Sequence, residues 1–276
     1  MTYNKKGDYN LLNLACGAKI SSIGNWVNID FSSPLKNVVQ MNVLKGIRFP
    51  SMSFDVVYSA QFIEHLTLSQ AEFVLKEVKR ILKGNGILRI VTPDLEEIVQ
   101  SYLYYLDLVK TGNNAIDTKK YDWIRIELFD QIVRDQTGGE MLTFIAKCDE
   151  QMQSYLSDRL DYSFKSLSAT ELEEEDTTFF NNLGKLKKAS SLLRKLLLLF
   201  DSNLVKIGRF RTSGEVHRYI HDYYSLSRIL SASGFSAVTR VDPYTSSILN
   251  WEIYGLDVIN KMVDGPKCLY VEARKC

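Results

Sequence analysis

The sequence has few of the residues that build metal cages, disulfide frameworks or membrane spans. Its 276 residues contain only four cysteines, and no two of them form a CxxC pair. Such scattered thiols argue against a zinc cage and against a secreted disulfide framework, and they favour a reducing, cytoplasmic location. The apolar run LLLLF at 196–200 is far too short to cross a bilayer, and MTYNKKGDYN lacks the apolar core of a signal peptide. We therefore expect a cytoplasmic protein that is not integral to a membrane, and we predict no metal site.

The chain also lacks an excess of charge of either sign. Lysine and arginine number 34 against 33 acidic residues, which leaves a formal net charge of +1. No long-range field would draw such a chain to nucleic acid, and no NPPY-type base-flipping signature follows the fourth predicted strand. We therefore expect no nucleic-acid partner. The composition is 45% hydrophobic, which is enough for a full core.

The first hundred residues alternate short apolar runs with a helical pattern, which is typical of an α/β unit built on a parallel sheet. The helical pattern is LSQAEFVLKEVKRILKG, in which apolar residues recur on one face. Ser69 and Glu72 have the spacing of a capping box, and Gly84 stands where a helix C-terminal glycine belongs. The candidate strands are LLNLA, WVNIDF, VVQMNV, FDVVYSA and GILRIVT.

Long helical patterns replace this alternation from about residue 95 to residue 212. They include the acidic run ELEEED and the basic run GKLKKASSLLRKLLLLF. Alternation then resumes with YSLSRILSASGF, a helix closed at Gly234, and with the strands SAVTRV and CLYVEARK. We therefore predict a sheet domain formed by residues 1–100 and 213–276, with a large helical insertion at 101–212 before the final two strands.

The stretch LLNLACGAKISSIGNWVNID at 11–30 begins like a nucleotide-binding turn but lacks its glycines. A diphosphate needs a glycine turn that leads into a helix N-terminus, where backbone amides and the helix dipole hold the anion. A crossover helix scarcely fits between Gly17 and Asp30. What remains is a tight turn with the small residues Ala15 and Gly17, followed by a carboxylate that can accept both hydroxyls of a ribose. These features predict a nucleoside cofactor held without phosphates.

Five ordered motifs resemble those of class I S-adenosylmethionine (SAM)-dependent methyltransferases. LNLACGAK resembles their first motif and WVNID the second, MNVLKGIRFPSMSFDVVYSAQFIEHL is similar to the third and fourth, and LKEVKRILKGNGILRIVTPD to the helix and fifth strand. GEVHRYIHDYYSLSRILSASGFSAVTRVDPYTSSI and GPKCLYVEARK resemble the closing segment of bacterial methyltransferases often associated with glycan biosynthesis clusters. The resemblance implies an α/β, Rossmann-like methyltransferase sheet, mostly parallel with the last strand antiparallel, and SAM as the cofactor.

The resemblance also implies which residues bind the cofactor. Asn13 falls where an acidic or polar group helps to hold the methionine ammonium, and Asp30 falls where a carboxylate holds the ribose. The sequence departs from the usual pattern at Asn13, which replaces an acid, and at Ala15 and Lys19, which replace glycines. The remaining implied contacts are Ala15, Cys16 and Gly17 in the turn beside the methionyl part, Asn42 and Val43 beside the adenine, and Ser59, Ala60 and Gln61 under the methionyl chain.

The only three histidines of the chain are the candidate catalytic bases for a hydroxyl acceptor. A positioned base adds roughly 100-fold to 10,000-fold to a rate. His65, with Glu64 adjacent, follows the fourth strand; the alternative is that it caps the next helix or packs beneath the site. His217 lies in GEVHR, and the resemblance implies that this segment returns from the insertion to the active site. His221 stands where relatives more often carry an aromatic residue, so it is either specific to the substrate or merely exposed.

The basic amphipathic stretch at 184–207 has three open interpretations. Leucines recur on one helical face with lysine and arginine on the others, and such a helix can lie on an anionic membrane surface. It can equally form a lid over the sheet or pack against a second subunit of a homo-oligomer. A protein that is cytoplasmic and peripheral to the inner membrane face is therefore one of the alternatives.

Three functions remain open on the sequence. The leading hypothesis is a SAM-dependent O-methyltransferase that acts on a hydroxyl of a saccharide or glycan intermediate. The second is the same chemistry on a natural product or peptide, and the third is a non-catalytic SAM-binding scaffold. An enzyme needs His65 and His217 to converge near the acceptor, whereas a scaffold does not.

Overall fold

A seven-stranded mixed sheet forms the centre of the molecule. The computed structural model describes residues 9–21, 23–33, 35–112, 114–160, 203–259, 262–263, 265 and 267–276. The sheet contains β1 (Leu11–Leu14), β2 (Trp26–Asp30), β3 (Val38–Gln40), β4 (Phe54–Ala60), β5 (Leu82–Pro93), β6 (Phe235–Val241) and β9 (Cys268–Lys275). A separate two-stranded ribbon pairs β7 (Val258–Ile259) with β8 (Met262–Val263).

The strand order of the large sheet is β3-β2-β1-β4-β5-β9-β6. Strands β1 to β5 pair in parallel, and β9 lies antiparallel between β5 and β6. This arrangement confirms the predicted fold class, a mostly parallel Rossmann-like sheet with an antiparallel last strand. As the spacing predicts, the described residues between β1 and β2 form turns and no helix.

Seven α-helices lie within the described residues. The first and the last of them pack against the sheet, and all of them except the first lie between β5 and β6 in sequence. They are α1 (Leu68–Ile81), α2 (Leu95–Thr111), α3 (Ala115–Val133), α4 (Gly139–Ile145), α5 (Glu150–Leu160), α6 (Asn203–Thr212) and α7 (Tyr223–Ala232).

The two faces of the sheet are covered in different ways. On one face, Leu12, Val57 and Leu88 of the sheet share an apolar cluster with Val78 of α1 and Leu226 of α7. On the other face, an irregular segment between β6 and β9 replaces a helical layer and brings aromatic side chains over the strands. β1, which lies between two strands and under both layers, is buried along its whole length.

A buried arginine fixes this irregular segment to the sheet. Arg89 of β5 has no exposed surface, and its guanidinium donates to Asp257 Oδ2 and to Glu272 Oε1 at 2.7 Å each. It also donates to the backbone oxygens of Thr245 and Asp242. Because all of these partners satisfy its fork of donors, a charge that would be costly if left alone is accommodated in the core.

Helices α2 to α5 build a second, smaller core. Trp123 and Ile124 of α3 pack with Met152 and Leu156 of α5, and all four are fully buried. The described part of the predicted insertion is thus helical in the way the sequence indicates. α2 begins at Leu95 and runs across residue 101, so the division at 101–212 stays a prediction.

Two details of α1 correct the sequence interpretation. The capping box is formed by Thr67 and Gln70, not by Ser69 and Glu72: the Gln70 amide donates to the Thr67 hydroxyl, and the Thr67 amide donates to the Gln70 side chain. The helix also ends at Ile81 and not at Gly84. Leu82 already pairs with Phe54 of β4, so strand pairing takes over before the glycine.

The predicted amphipathic helix at 184–207 falls mainly outside the described residues. Only its last part, 203–207, lies within the part of the chain that the structure describes, where it forms the start of α6. None of the helices in the described ranges is both long enough and apolar enough to cross a membrane.

Candidate functional site

The predicted cofactor residues lie along the carboxyl edge of the parallel strands. β1 and β4 are neighbours, yet the chain leaves β1 towards β2 on one side and leaves β4 towards β5 on the other. In open α/β sheets, ligands bind in the crevice at such a switch in strand order. The turn that follows β1, the end of β2 and the end of β4 all meet at this edge.

The turn after β1 is held by the carboxylate at the end of β2. The amide of Gly17 donates to Asp30 Oδ2 at 2.9 Å, and the Ser32 amide donates to Asp30 Oδ1 at 2.8 Å. Ala15 and Gly17 both have positive φ, 56° and 52°, and a Cβ built on Gly17 would meet nothing within 4 Å. The turn therefore leaves open space directly beside the carboxylate, as a closely approaching ligand requires.

Asn13 supports this turn from below. Its side-chain amide donates to the Lys19 carbonyl at 2.8 Å and to Asn28 Oδ1 at 3.0 Å, and the residue is buried. The amide of Cys16 donates to the carbonyl of Ile29. Burial, with the nearby charge of Asp30, raises the pKa of the Cys16 thiol to about 11, so the thiol stays protonated at neutral pH. These contacts give Asn13 and Cys16 a supporting role in addition to any contact with a ligand.

The remaining predicted cofactor residues lie at the ends of β3 and β4. Asn42 caps a short 3-10 turn, Val43–Lys45, by accepting from the amide of Leu44. Val43, the first residue of that turn, is buried. At the end of β4, Ser59 is buried and its hydroxyl has no hydrogen-bond partner, Ala60 is half-buried, and Gln61 has a positive φ of 51°. The structure brings these positions to the carboxyl edge; their contacts with a cofactor stay a prediction.

His65 and His217 converge at the same edge. Their ring centroids are 4.7 Å apart with the planes nearly perpendicular, although the whole helical segment separates them in sequence. Nδ1 of each ring is buried and has no hydrogen-bond partner. Burial lowers the pKa of His65, and burial together with the charges of His65 and Arg134 lowers the pKa of His217 to about 3. Both imidazoles are consequently neutral at physiological pH.

Glu64 completes this cluster. Its side chain is fully buried, Oε2 accepts from the Thr92 hydroxyl at 3.1 Å, and Oε1 has no partner. Burial raises the pKa of its carboxyl to about 7, against the opposing effect of its hydrogen bonds. One ligand atom each from Glu64, His65 and His217 can be chosen so that all three lie within 4.8 Å of one another.

Backbone hydrogen bonds explain why such distant residues meet. The carbonyl of Glu64 accepts from the amides of Arg218 and Tyr219, and the His217 amide donates to the carbonyl of Gln131 near the end of α3. Arg134 also donates to the carbonyl of Glu215. The segment that carries His217 is therefore fixed on one side by the turn after β4 and on the other by the helical segment.

His221 does not join the pair. It is buried, with 1% of its surface exposed, so the alternative that it is merely exposed was wrong. Its Nδ1 lies 3.5 Å from the Ser225 hydroxyl, and its backbone bridges to Asp94 and accepts from the Leu95 amide. Burial lowers the pKa of His221 to about 4. These contacts connect the start of α7 to the start of α2.

Sequence reasoning noted Glu64 only as a neighbour of His65 and missed Thr92 and Arg134 altogether. Thr92 lies at the end of β5, one strand away from Glu64, and its position next to β4 is the signal that could have suggested it. Arg134 follows α3 inside the predicted insertion. Nothing in its local sequence indicates that this end of the helix returns to the sheet.

Comparison with known proteins supports the cofactor. Residues 21–90, roughly a quarter of the chain, match the family described as a methyltransferase domain. That match spans the end of the first turn, Asp30, the tip of β4 and the Glu64–His65 pair. It indicates SAM as the cofactor, and the open turn beside Asp30 fits the nucleoside that SAM contains. No curated protein sequence matches the chain.

The solved structures that align with this chain share little of its sequence and superpose on it poorly. A SAM-dependent methyltransferase from Archaeoglobus fulgidus aligns with 98% of this chain and 87% of its own at 13% identity and a TM-score of 0.40. One from Aquifex aeolicus aligns with 99% and 85% at 12% identity and a TM-score of 0.38. The cyclase SpnF aligns with 32% of this chain and only 39% of its own, at 18% identity and a TM-score of 0.27. Likenesses this slight support no argument about activity.

Proposed function

We propose that the protein is a SAM-dependent methyltransferase that acts on an acceptor hydroxyl, of a saccharide or glycan intermediate. The observation that carries the proposal is the Asp30 carboxylate beside the open Gly17 turn, at the switch in strand order. The described residues between β1 and β2 offer no helix N-terminus for a diphosphate, so the same edge suits a nucleoside and not a dinucleotide.

In this proposal Asp30 holds the ribose hydroxyls and the backbone of 15–17 borders the methionyl part. Asn13, Cys16, Asn42, Val43, Ser59, Ala60 and Gln61 complete the cofactor site. When bound, SAM supplies an activated methyl group, and the chain has to orient the acceptor, exclude water and deal with the proton of the hydroxyl. Alignment of reacting groups is worth on the order of 7 to 11 kcal/mol at best.

The convergence of His65 and His217 supports an enzyme over a scaffold. A scaffold has no need of two neutral imidazoles whose Nδ1 atoms lack hydrogen-bond partners beside a buried carboxyl. We propose that His65 and His217 contact the acceptor. His221 packs at the junction of α2 and α7, and we propose that it supports the structure there. The acceptor assignment to a saccharide rests on the resemblance of the closing segment.

The test is calorimetric binding of SAM, of its demethylated product S-adenosylhomocysteine and of NAD to the full chain. We expect both SAM species to bind and NAD not to bind. Asp30→Ala should weaken SAM binding by about 10-fold to 100-fold, because a hydrogen bond to a charged group contributes about 1.5–3 kcal/mol. NAD binding by the wild type would overturn the assignment.

A matched control is Asp55→Ala. Asp55 stands at the amino end of β4, where it accepts from the Asn10 amide and pairs with Lys83. Removal of this carboxylate on the opposite edge of the sheet should leave SAM affinity unchanged. If both variants lose affinity equally, the loss reflects destabilisation of the sheet and the role of Asp30 is contradicted.

Peripheral membrane contact and homo-oligomer formation through residues 184–207 stay predictions. Vesicles that contain anionic lipid test the first, and sedimentation of the full chain tests the second. Retained SAM binding with lost vesicle binding, after removal of that stretch, is the result expected for a membrane-contacting element.

A further inference from the structure

We propose that Glu64, His65 and His217 form a binding site for one divalent transition-metal ion of the zinc, cobalt or iron class. Backbone hydrogen bonds between the turn after β4 and the segment at 217–219 bring the three side chains together without an ion. Its place in the reaction rests on the proposed function, whereas the binding of the ion does not.

The donor set is the first argument. Two imidazoles and one carboxylate are a ligand combination that proteins use for zinc and for iron at sites with open coordination positions. Magnesium and calcium prefer oxygen donors, and two nitrogen donors of three disfavour them. The set therefore selects a first-row transition ion.

Unsatisfied buried atoms are the second argument. Glu64 is fully buried and His217 is 4% exposed, yet Glu64 Oε1 and His217 Nδ1 have no hydrogen-bond partner, and neither has His65 Nδ1. Leaving a buried polar atom unpaired destabilises the folded state, and three such atoms rarely cluster without a reason. A metal ion would give these unpartnered atoms a partner.

The distances leave room for one ion. Ligand atoms that bind zinc at about 2.1 Å in a tetrahedral site are about 3.4 Å apart, whereas the three candidate atoms lie within 4.8 Å of one another. A pair at that limit has to close by about 1.4 Å, which rotation of the side chains has to provide.

Neighbouring groups both support and limit the site. Thr92 donates to Glu64 Oε2 and so orients the carboxyl from the next strand, as outer-sphere partners of metal ligands do. The positive charge of Arg134 lies near both imidazoles and repels a cation. The Glu64 carboxylate, once it holds the ion, would offset that charge, and we expect binding in the micromolar range, weaker than at a structural zinc site.

The position of the ion suggests its use. Glu64 and His65 follow the tip of β4 directly, and Thr92 ends β5, so the cluster lies at the edge where the cofactor residues also lie. An ion held by three protein ligands keeps further coordination positions for oxygen donors. It would bind an oxygen of the acceptor and favour loss of its proton to solvent.

The experiment is titration of the metal-free full chain with Co²⁺, followed by visible absorption and then by competition with Zn²⁺. We expect one Co²⁺ per chain, visible ligand-field bands of a nitrogen and oxygen site, and displacement by an equivalent of Zn²⁺. No saturable binding up to millimolar Co²⁺ would overturn the proposal. So would strong sulfur-to-cobalt charge-transfer bands, which would place the ion on the cysteines.

Four variants locate the ion. Glu64→Gln and His217→Asn should each lose more than about 100-fold in Co²⁺ affinity, beyond the roughly 10-fold to 100-fold expected for Thr92→Val as an outer-sphere change. His221→Asn, which removes the histidine that lies outside the cluster, should bind Co²⁺ as the wild type does. Equal loss in all four, or in none, contradicts the site.

Two readouts separate this proposal from the proposed function. Circular dichroism and melting temperature establish that each variant is folded, and Thr92→Val keeps the test valid if Glu64→Gln does not fold. SAM binding is measured on the same samples by calorimetry. Retained SAM binding without Co²⁺ binding overturns the metal site alone, whereas Co²⁺ binding without SAM binding overturns the proposed function alone.

Discussion

The backbone amide of Gly17 donates to the side chain of Asp30 across the carboxyl ends of two neighbouring strands, at 2.9 Å. This contact closes the turn after β1 without a helix and without the usual glycines at positions 15 and 19. One carboxylate thus shapes the loop and, in the proposed function, binds the ribose beside it.

Gly17→Ala should weaken SAM binding more than it destabilises the fold. At φ 52° an added Cβ costs about 1–2 kcal/mol of backbone strain, although it meets no protein atom within 4 Å. The methyl group would occupy the space that the proposed cofactor uses. We expect the free energy of unfolding in urea to fall by about that same 1–2 kcal/mol, and calorimetry to show a larger loss of SAM affinity.

Gly84→Ala is the matched control for this prediction. A Cβ at Gly84 also meets nothing within 4 Å, but its φ is not positive and it lies in β5, far from the cofactor edge. Unchanged SAM affinity in both variants would show that the space beside Gly17 is not part of the cofactor site.

Arg89→Met should be among the most destabilising single changes on the face of the sheet that the irregular segment between β6 and β9 covers. It would leave Asp257 and Glu272 as buried carboxylates that have lost their cation. Breaking a buried ion pair by removal of one partner costs about 3–5 kcal/mol, and urea unfolding measures the loss. Lys83→Met, which breaks the half-exposed pair with Asp55, should cost less than about 1 kcal/mol. Equal costs would contradict a structural role of the buried network.

Stability should fall with acidification partly through His221. Its pKa is about 4 in the folded protein against an ordinary histidine value of 6.5, because burial disfavours the imidazolium. As the pH drops from about 6.5 to about 4, His221 is therefore protonated in the unfolded chain but stays neutral in the folded protein. Full stability is present above that window and decreases through it, by about 3 kcal/mol from this residue.

His221→Asn removes this proton from the balance. Urea unfolding across the same pH range should show a shallower decrease in the variant, by up to one proton. Burial also lowers the pKa of His65 and of His217, so the variant should retain the part of the pH dependence of stability that comes from these two residues. An identical pH dependence in wild type and variant would mean that His221 is already accessible to protons in the folded state.

Strands and helices were predictable from the sequence where the local pattern of apolar and turn residues determines them. The eight residues Cys268–Lys275 form a strand as predicted, and so do the seven residues Phe54–Ala60, because apolar runs bounded by turns are largely buried there. The helix cap was misplaced because Thr67 and Ser69 are both suitable caps. Gln70 completes the capping box with Thr67 and so decides between them. The helix end was misplaced for another reason: Leu82 already pairs with Phe54 of β4.

Long-range contacts were not predictable in this way. The Arg89 network joins strands to a segment more than a hundred residues away, and no periodicity in the sequence indicates it. The meeting of His65 and His217 was stated as a requirement for an enzyme, and the structure confirms their proximity. The third member, Glu64, was missed as a participant because its burial depends on the returning segment at 218–219.

The placement of β9 has a consequence for how the protein is made. β9 is the last strand of the sheet in sequence, yet it lies between β5 and β6 and pairs with both. While the chain emerges from the ribosome, β5 has an unpaired edge and β6 has no neighbour until β9 is released. Nascent chains arrested before β9 should therefore be caught by chaperones or degraded, and the sheet can close only after β9 has left the exit tunnel.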